Sequence, residues 1–208
     1  MYARTTIIEA DPAQLDEGLT HIRDQILPEV TRMDGCAGMS MLVNRESGRC
    51  IATTAWESEA ARDSSLEKVR PLRESAEQRL SSGPSEIHLW EVAAVHRDHP
   101  VPEGACCRLT WVRATEMTNV ERMIDIYKVG VLPQIQEFDG FCSASLLIDR
   151  ASGRGVGTLI LDRRDQLEAT RDSAARVRER ATKEMGATVE DVEEMEVAFA
   201  HLHVPEMA

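Results

Sequence analysis

The apolar positions along the chain recur at spacings that predict its elements directly. Tyr2 to Glu9 is rich in β-branched residues and reads as a strand. Asp11 before Pro12 is an N-cap with proline at the first helical position. From there Leu15, Leu19, Ile22, Ile26, Val30 and Met33 fall three or four residues apart, one stripe of an amphipathic helix. Asp34-Gly35 stops that helix, and Pro28 within it predicts a kink or an early break. Two strands, Cys36 to Val43 and Arg49 to Trp56, flank a turn at Ser47-Gly48. A polar helix over 58–80 with a thin apolar stripe follows, ended by Gly83-Pro84, and Ile87 to His96 closes the set as a strand.

The pattern then starts again. ILPEVTRMDG at 26–35 returns as VLPQIQEFDG at 131–140, an offset of 105, and NRESGR and EVAAVH return at the same offset as DRASGR and EVAFAH. Val120, Ile124, Tyr127, Val131, Ile135 and Phe138 repeat the helical stripe, and Thr118-Asn119-Val120-Glu121 reads as a capping box before it. Taken as gapless, the offset matches Arg4 with Leu109, Trp56 with Leu161, His88 with Glu193 and Trp90 with Met195. The chain is a tandem duplication. Its expected domains are 1–98 and 106–208, joined by the Pro-containing linker HPVPEGA at 99–105. Each copy reads βαββαβ, which makes the expected class α+β, two ferredoxin-like repeats.

Composition narrows the partners. The chain has 24 Lys and Arg against 36 Asp and Glu, a formal charge of −12, and residues 1–98 hold 11 against 17, so each half carries −6. Neither half has the clustered cations that phosphate recognition needs, so no nucleic-acid partner is expected. No apolar run reaches about 18 residues, and MYARTTIIEADP lacks a signal-peptide profile, so no membrane partner and a cytoplasmic location are expected. Five cysteines with no C-x-x-C pair argue against a disulfide framework and a zinc ribbon, leaving reduced, mostly buried thiols. No metal and no cofactor are expected.

The succession of LP, DG, an apolar strand, R-x-S-G-R and a strand ending in WES before a helix resembles the antibiotic biosynthesis monooxygenase family. The resemblance implies the dimeric α/β barrel, in which sheets from two chains pack together. With both copies in one chain it implies an intramolecular pseudo-dimer, and further homo-oligomerisation is left open. Such families include cofactor-free oxidation of quinols and hydroxyarenes, haem degradation and isomerisation of small sugars. Haem-degrading members use a histidine on the second helix beside an asparagine on the first strand. Residues 58–80 and 163–185 contain no histidine, and neither first strand contains asparagine, so that route is not expected.

Candidate chemistry sits mainly in the first copy. His88, Trp90, Val92, Ala94 and His96 share one strand face, and an imidazole beside an indole suits a general base next to a flat substrate. Arg4 and Thr6 share a face of the first strand, where a guanidinium would stabilise a phenolate or carboxylate. Trp56 would stack on a planar ligand together with Trp90, and Met39 and Met41 would line an adaptable apolar pocket. Each has a plainer reading: core packing for Trp56 and the methionines, a strand-end surface histidine for His88, an ion pair for Arg4. His96 is matched by His201, and His201 with His203 has the H-x-H spacing that puts two imidazoles on one strand face for copper or zinc, but no third ligand is identifiable and rim packing is the simpler account. The acidic run VEDVEEMEV at 189–197 reads as a solvated sheet edge.

The leading expectation is a small-molecule pocket protein acting as a cofactor-independent monooxygenase on a quinol-like or polyphenolic aromatic ligand. His88 would be the base, Arg4 the anion stabiliser, and Trp56, Trp90, Thr6, Met39 and Met41 the binding wall. The alternative is a non-catalytic ligand-binding or stress-associated protein of the same fold. One site per chain, in the first copy, is expected, because the gapless offset leaves the second copy without these groups.

Overall fold

A computed structural model describes residues Met1–Met207. The first copy contributes strands β1 (Tyr2–Glu9), β2 (Cys36–Val43), β3 (Arg49–Trp56) and β4 (Glu86–Arg97), with helices α1 (Leu15–His21), α2 (Leu27–Thr31), α3 (Glu59–Ser64) and α4 (Leu66–Arg79). The second contributes β5 (Cys106–Ala114), β6 (Phe141–Asp149), β7 (Arg154–Leu161) and β8 (Ala187–Leu202), with α5 (Val120–Ile126), α6 (Leu132–Ile135), α7 (Arg164–Ala169) and α8 (Arg171–Met185). The class is α+β, as expected. The strand order β1-β3-β2-β8-β5-β7-β6-β4 closes on itself as an eight-stranded barrel.

The chain divides into two compact units. Unit 1 is Met1–Trp90 with Glu196–Val204, and unit 2 is Glu91–Met195 with the residues from Pro205. Two of the three boundaries fall inside the long strands β4 and β8, and the third follows Val204. Within unit 1, β3 pairs with β1 and β2, and the far end of β8 pairs with β2, Val43 opposite Glu196 and Met39 opposite His201. Within unit 2, β7 pairs with β5 and β6, and the far end of β4 pairs with β6, Glu91 opposite Ile148 and Val95 opposite Ser145. Of the acidic run, Glu196 and Val197 at its end pair with β2. Carboxylates of the run are engaged: Glu190 takes Arg113 and Arg154, and Glu194 takes Arg108 and Arg171.

The first helix of each copy is broken where the prolines demand it. The segments Ile22–Ile26 and Tyr127–Val131 are wound as π-helix, and the amides of Leu27 and Leu132 donate to the carbonyls of Ile22 and Tyr127, five residues back. Pro28 and Pro133 have no N–H and would press on the carbonyl four residues earlier; the wider turn relieves both problems at once. The capping box expected at Thr118 does not form. Asn119 caps nothing with its side chain and donates instead to Thr115 Oγ1 and the Gly186 carbonyl. The polar helices also break, at Ser65 and Thr170, into the pairs α3–α4 and α7–α8.

Apolar faces of these helices cover the sheet. In unit 1 Leu15, Ile22, Val30, Met41, Val43, Trp56 and Leu80 form one core cluster, each 2 % exposed or less. Burial of each such side chain contributes about 1.5–3 kcal/mol. Gly38, in the bulge of β2, has φ +123°, and a Cβ there would collide with the His201 carbonyl, so the close approach of β2 and β8 requires glycine.

Candidate active site

Each unit holds a cavity between its own helices and sheet. In unit 1 it measures about 40 Å³, and Arg4, Thr6, Ile22, Ile26, Met39, Met41, Thr54 and Arg73 contribute to its lining. In unit 2 it measures about 90 Å³, with Arg108, Thr110, Tyr127, Val131, Leu146, Leu159 and Arg178 among its walls. These are the same site. Every lining residue of the first has its repeat partner in the second except Met39, whose counterpart is Ala144. Both π-helical segments face it, through Ile22 and Ile26 and through Tyr127 and Val131.

The equivalence exposes a gap in the repeat. Glu9 lies opposite Arg49 and Arg113 opposite Arg154, so the first strands are offset by 104, not 105. The counterpart of Arg4 is Arg108, not Leu109, and the second copy has not lost its strand arginine. Arg4 donates to Ser65 Oγ at 3.0 Å and to the Arg62 carbonyl at 2.5 Å; Arg108 donates to Thr170 Oγ1 at 3.1 Å and to the Leu167 carbonyl at 2.7 Å. Both staple their strand to the break between the polar helices. The signal was present as Arg4-Thr5-Thr6 against Arg108-Leu109-Thr110, hidden by one extra residue between strand and helix.

Of the residues singled out from sequence, the structure brings Arg4, Thr6, Met39 and Met41 together at the unit 1 cavity. Trp56, Trp90 and His88 do not line it. Trp56 is fully buried and its indole N–H donates to Thr54 Oγ1 at 3.0 Å. Trp90, 1 % exposed, donates to Thr5 Oγ1 at 2.8 Å, on the β1 face opposite to that of Arg4 and Thr6. His88 packs 5.6 Å from Trp90, centroid to centroid, and its Nε2 lies 3.0 Å from Glu86 Oε1. Trp90 and His88 pack away from the cavity, whereas Trp56 lies on the cavity side of the sheet as part of the helix-covered core, with the Arg4 guanidinium 5.8 Å from its ring centroid.

The charges of the two cavities are arranged inversely. In unit 1 the inner arginine, Arg4, has no carboxylate hydrogen-bonded to it among the described residues, and burial and then the nearby Arg62 lower its pKa. The outer arginine, Arg73, faces Glu77 at 3.6 Å. In unit 2 the inner Arg108 is held by Glu194 at 2.7 Å. Burial opposes ionisation of Glu194, but hydrogen bonds from Arg171 and Arg108 outweigh it and hold the carboxyl below its usual range. The position matching Glu77 is Thr182, and Arg178 has no ion pair or side-chain hydrogen bond among the described residues. Burial, then Arg108, lowers its pKa. Tyr127 donates to the Ser145 carbonyl at 3.0 Å, and burial raises its pKa, so the phenol stays protonated at neutral pH.

The five cysteines form no disulfide among the described residues and stand outside both cavities; burial pushes Cys50 up to about 11. No helix among the described residues is long and apolar enough to cross a membrane.

The eight-stranded barrel is a fold this chain shares with solved structures of low sequence identity. An anthrone oxidase-like protein superposes with a TM-score of 0.63 at 14% identity, covering 94% of this chain and 90% of its own. A ferredoxin-fold protein related to antibiotic biosynthesis monooxygenases, from Listeria monocytogenes, gives 0.51 at 8% identity, with 94% of each chain covered. A heme-degrading enzyme from the same species gives 0.52 at 8% identity, covering 93% and 98%. At such identities the likeness is one of fold. No protein-family model matches the chain.

The chain belongs to the family of the uncharacterized Mycobacterium tuberculosis proteins Rv2558 and Rv2557. It is 45% identical to the former over 208 residues, covering all of this chain and 87% of that protein, and 46% identical to the latter over 207 residues, covering 92% of it.

Proposed function

We propose that the chain binds a small aromatic molecule bearing one anionic oxygen, in the unit 2 cavity, and oxidises it as a cofactor-independent monooxygenase of quinol-like or polyphenolic substrates. The observation that supports this reading is Arg178, a guanidinium without a protein partner among the described residues, at the wall of an otherwise largely apolar cavity. In such a setting a charge-assisted hydrogen bond to a phenolate is stronger than in water, and it lowers the cost of ionising the phenol. The substrate anion would then reduce dioxygen directly, one oxygen atom entering the ring system and the other leaving as water, while the apolar walls exclude solvent. A cavity of about 150 Å³ accommodates benzene. At about 90 Å³, this one takes a ring when the flexible side chains of Met123 and Met185, both in its lining, shift.

A second reading, a binding protein without a reaction, is favoured by the lining itself, which includes no carboxylate or imidazole among the described residues to accept the phenolic proton. His88, placed outside the cavity, does not fill that role. A quinol panel with paired calorimetry and oxygen-uptake measurements tests both. Binding with oxygen uptake, both reduced by Arg178→Gln, supports the oxygenase. Binding alone supports the carrier, and an absence of binding overturns both.

A further inference from the structure

A second cluster of chemistry-bearing side chains lies in unit 2, away from the cavity. His99 follows β4, Cys142 stands at the start of β6, and Asp162 follows β7, so three strand ends converge there. One ligand atom from each, an imidazole nitrogen, Sγ and a carboxylate oxygen, lies within 4.8 Å of the other two. We propose that His99, Cys142 and Asp162 form a site for a zinc-type divalent ion, with an open fourth position.

Three observations support it. First, His99 Nδ1 lies 3.0 Å from the Pro100 carbonyl, which can only accept, so Nδ1 carries the proton and the Nε2 lone pair is free to coordinate. Backbone anchoring of this kind is the usual means of orienting a ligating imidazole. Second, Nε2 faces Asp162 Oδ1 at 3.4 Å, too long for a hydrogen bond. Two ligands at zinc–nitrogen and zinc–oxygen distances in a tetrahedron are separated by about 3.3 Å. Third, Asp162 Oδ1 is buried and has no hydrogen-bond partner among the described residues, a costly state for a carboxylate that an ion would relieve. Cys142, fully buried, presently donates its thiol to the His99 carbonyl at 3.4 Å. On metal binding the S–H proton leaves to solvent and the thiolate forms the metal–sulfur bond, with no change of oxidation state.

The other copy supplies an internal control. The backbone there is built the same way: Asp98 donates to the Cys142 carbonyl at 2.9 Å, and His203 donates to the Ala37 carbonyl at 2.7 Å. The positions matching the three ligands are Val204, Ala37 and Glu57. The strand ends therefore pair without this trio, and its presence in one unit alone is not a demand of the fold. A soft thiolate, an imidazole and one carboxylate select zinc over magnesium or calcium. Half-exposed His99 and Asp162 leave an entry path for the ion and room for water as fourth ligand.

The test is titration of the purified full chain, under reducing conditions, with Co²⁺ as the spectroscopic probe and Zn²⁺ as the competitor. The expected result is one ion per chain, a thiolate-to-cobalt charge-transfer band displaced by zinc, and loss of that band in Cys142→Ser but not in Cys36→Ser. Should Cys142→Ser fold poorly, His99→Gln and Asp162→Asn remain: the first alters a half-exposed side chain, the second is isosteric, and each is expected to weaken zinc binding at least about tenfold. No charge-transfer band in the parent protein, a band that survives Cys142→Ser, or zinc affinity unchanged in both other variants would each overturn the proposal.

Discussion

The cavities of the two units occupy one location in the repeat yet differ in size and in the fate of their charges. Met39, Val69, Leu72 and Ala52 in unit 1 stand where unit 2 has Ala144, Ala174, Val177 and Gly157, and this loss of volume, only partly offset by Tyr127 in place of Ile22 and Leu159 in place of Thr54, accompanies the larger cavity. Glu194, where the first copy has Leu89, neutralises the inner arginine of unit 2; Thr182 in place of Glu77 leaves its outer arginine without a partner. Small substitutions at conserved geometry thus turn a tight apolar seam into a pocket with a cation at its wall.

The largest difference should appear on removing the inner arginines. Arg108→Met breaks a buried pair and leaves Glu194 with Arg171 alone, an expected loss of about 3–5 kcal/mol, whereas Arg4→Met removes hydrogen bonds and the contact of the guanidinium with the Trp56 ring, at about 1–3 kcal/mol. Urea denaturation of the two variants measures the contrast, and equal losses would show that Glu194 does not set the two apart. Next comes ligand affinity. Arg178→Gln should weaken binding of a phenolate ligand at least about tenfold while Arg73→Gln leaves it within about twofold, as calorimetry would read.

Acid should act through unit 2. Because Glu194 has a lowered pKa in the folded state, the stability it contributes is fully present above the ordinary carboxylate pKa and is lost as pH falls through its lower folded value. Glu194→Gln should flatten the melting temperature against pH on that acid limb, and an unchanged slope would remove the carboxylate from the comparison. The smallest effect is expected from Gly157→Ala. A Cβ there meets Tyr127 at 3.5 Å, an ordinary contact, so stability should hold or rise by up to about 1 kcal/mol while ligand binding weakens. A variant that binds as well as the parent would place the ligand elsewhere.

Strands, helices and their repetition were legible because period two and period 3.6 are written directly in residues such as Tyr2 to Glu9 and Leu15 to Val30. The site was less legible. Strand parity put Arg4, Thr6, Met39 and Met41 on faces that meet at one cavity, but it does not say which face of β4 meets which neighbour, and Trp90 and His88, expected beside a ligand, pack against Thr5 and Glu86. A single-residue insertion concealed Arg108. Arg178 sat in a polar helix where charge is unremarkable, and only the structure shows its side chain at a cavity. His99, Cys142 and Asp162 are 43 and 20 residues apart, too far for any spacing rule to join.

The exchange of strand ends has a consequence for synthesis. Val43 pairs with Glu196, a residue made 153 positions later. At translation rates of roughly 5–20 residues per second, the edge of β2 waits about 8–30 seconds for its partner. Throughout that interval a nascent chain presents the unpaired groups of an apolar strand, a template for pairing with a neighbouring nascent chain on the same message. The bulge between Cys36 and Gly38 lies in the ladder with β3, and the bend it gives β2 would make the waiting edge a poorer template for such pairing.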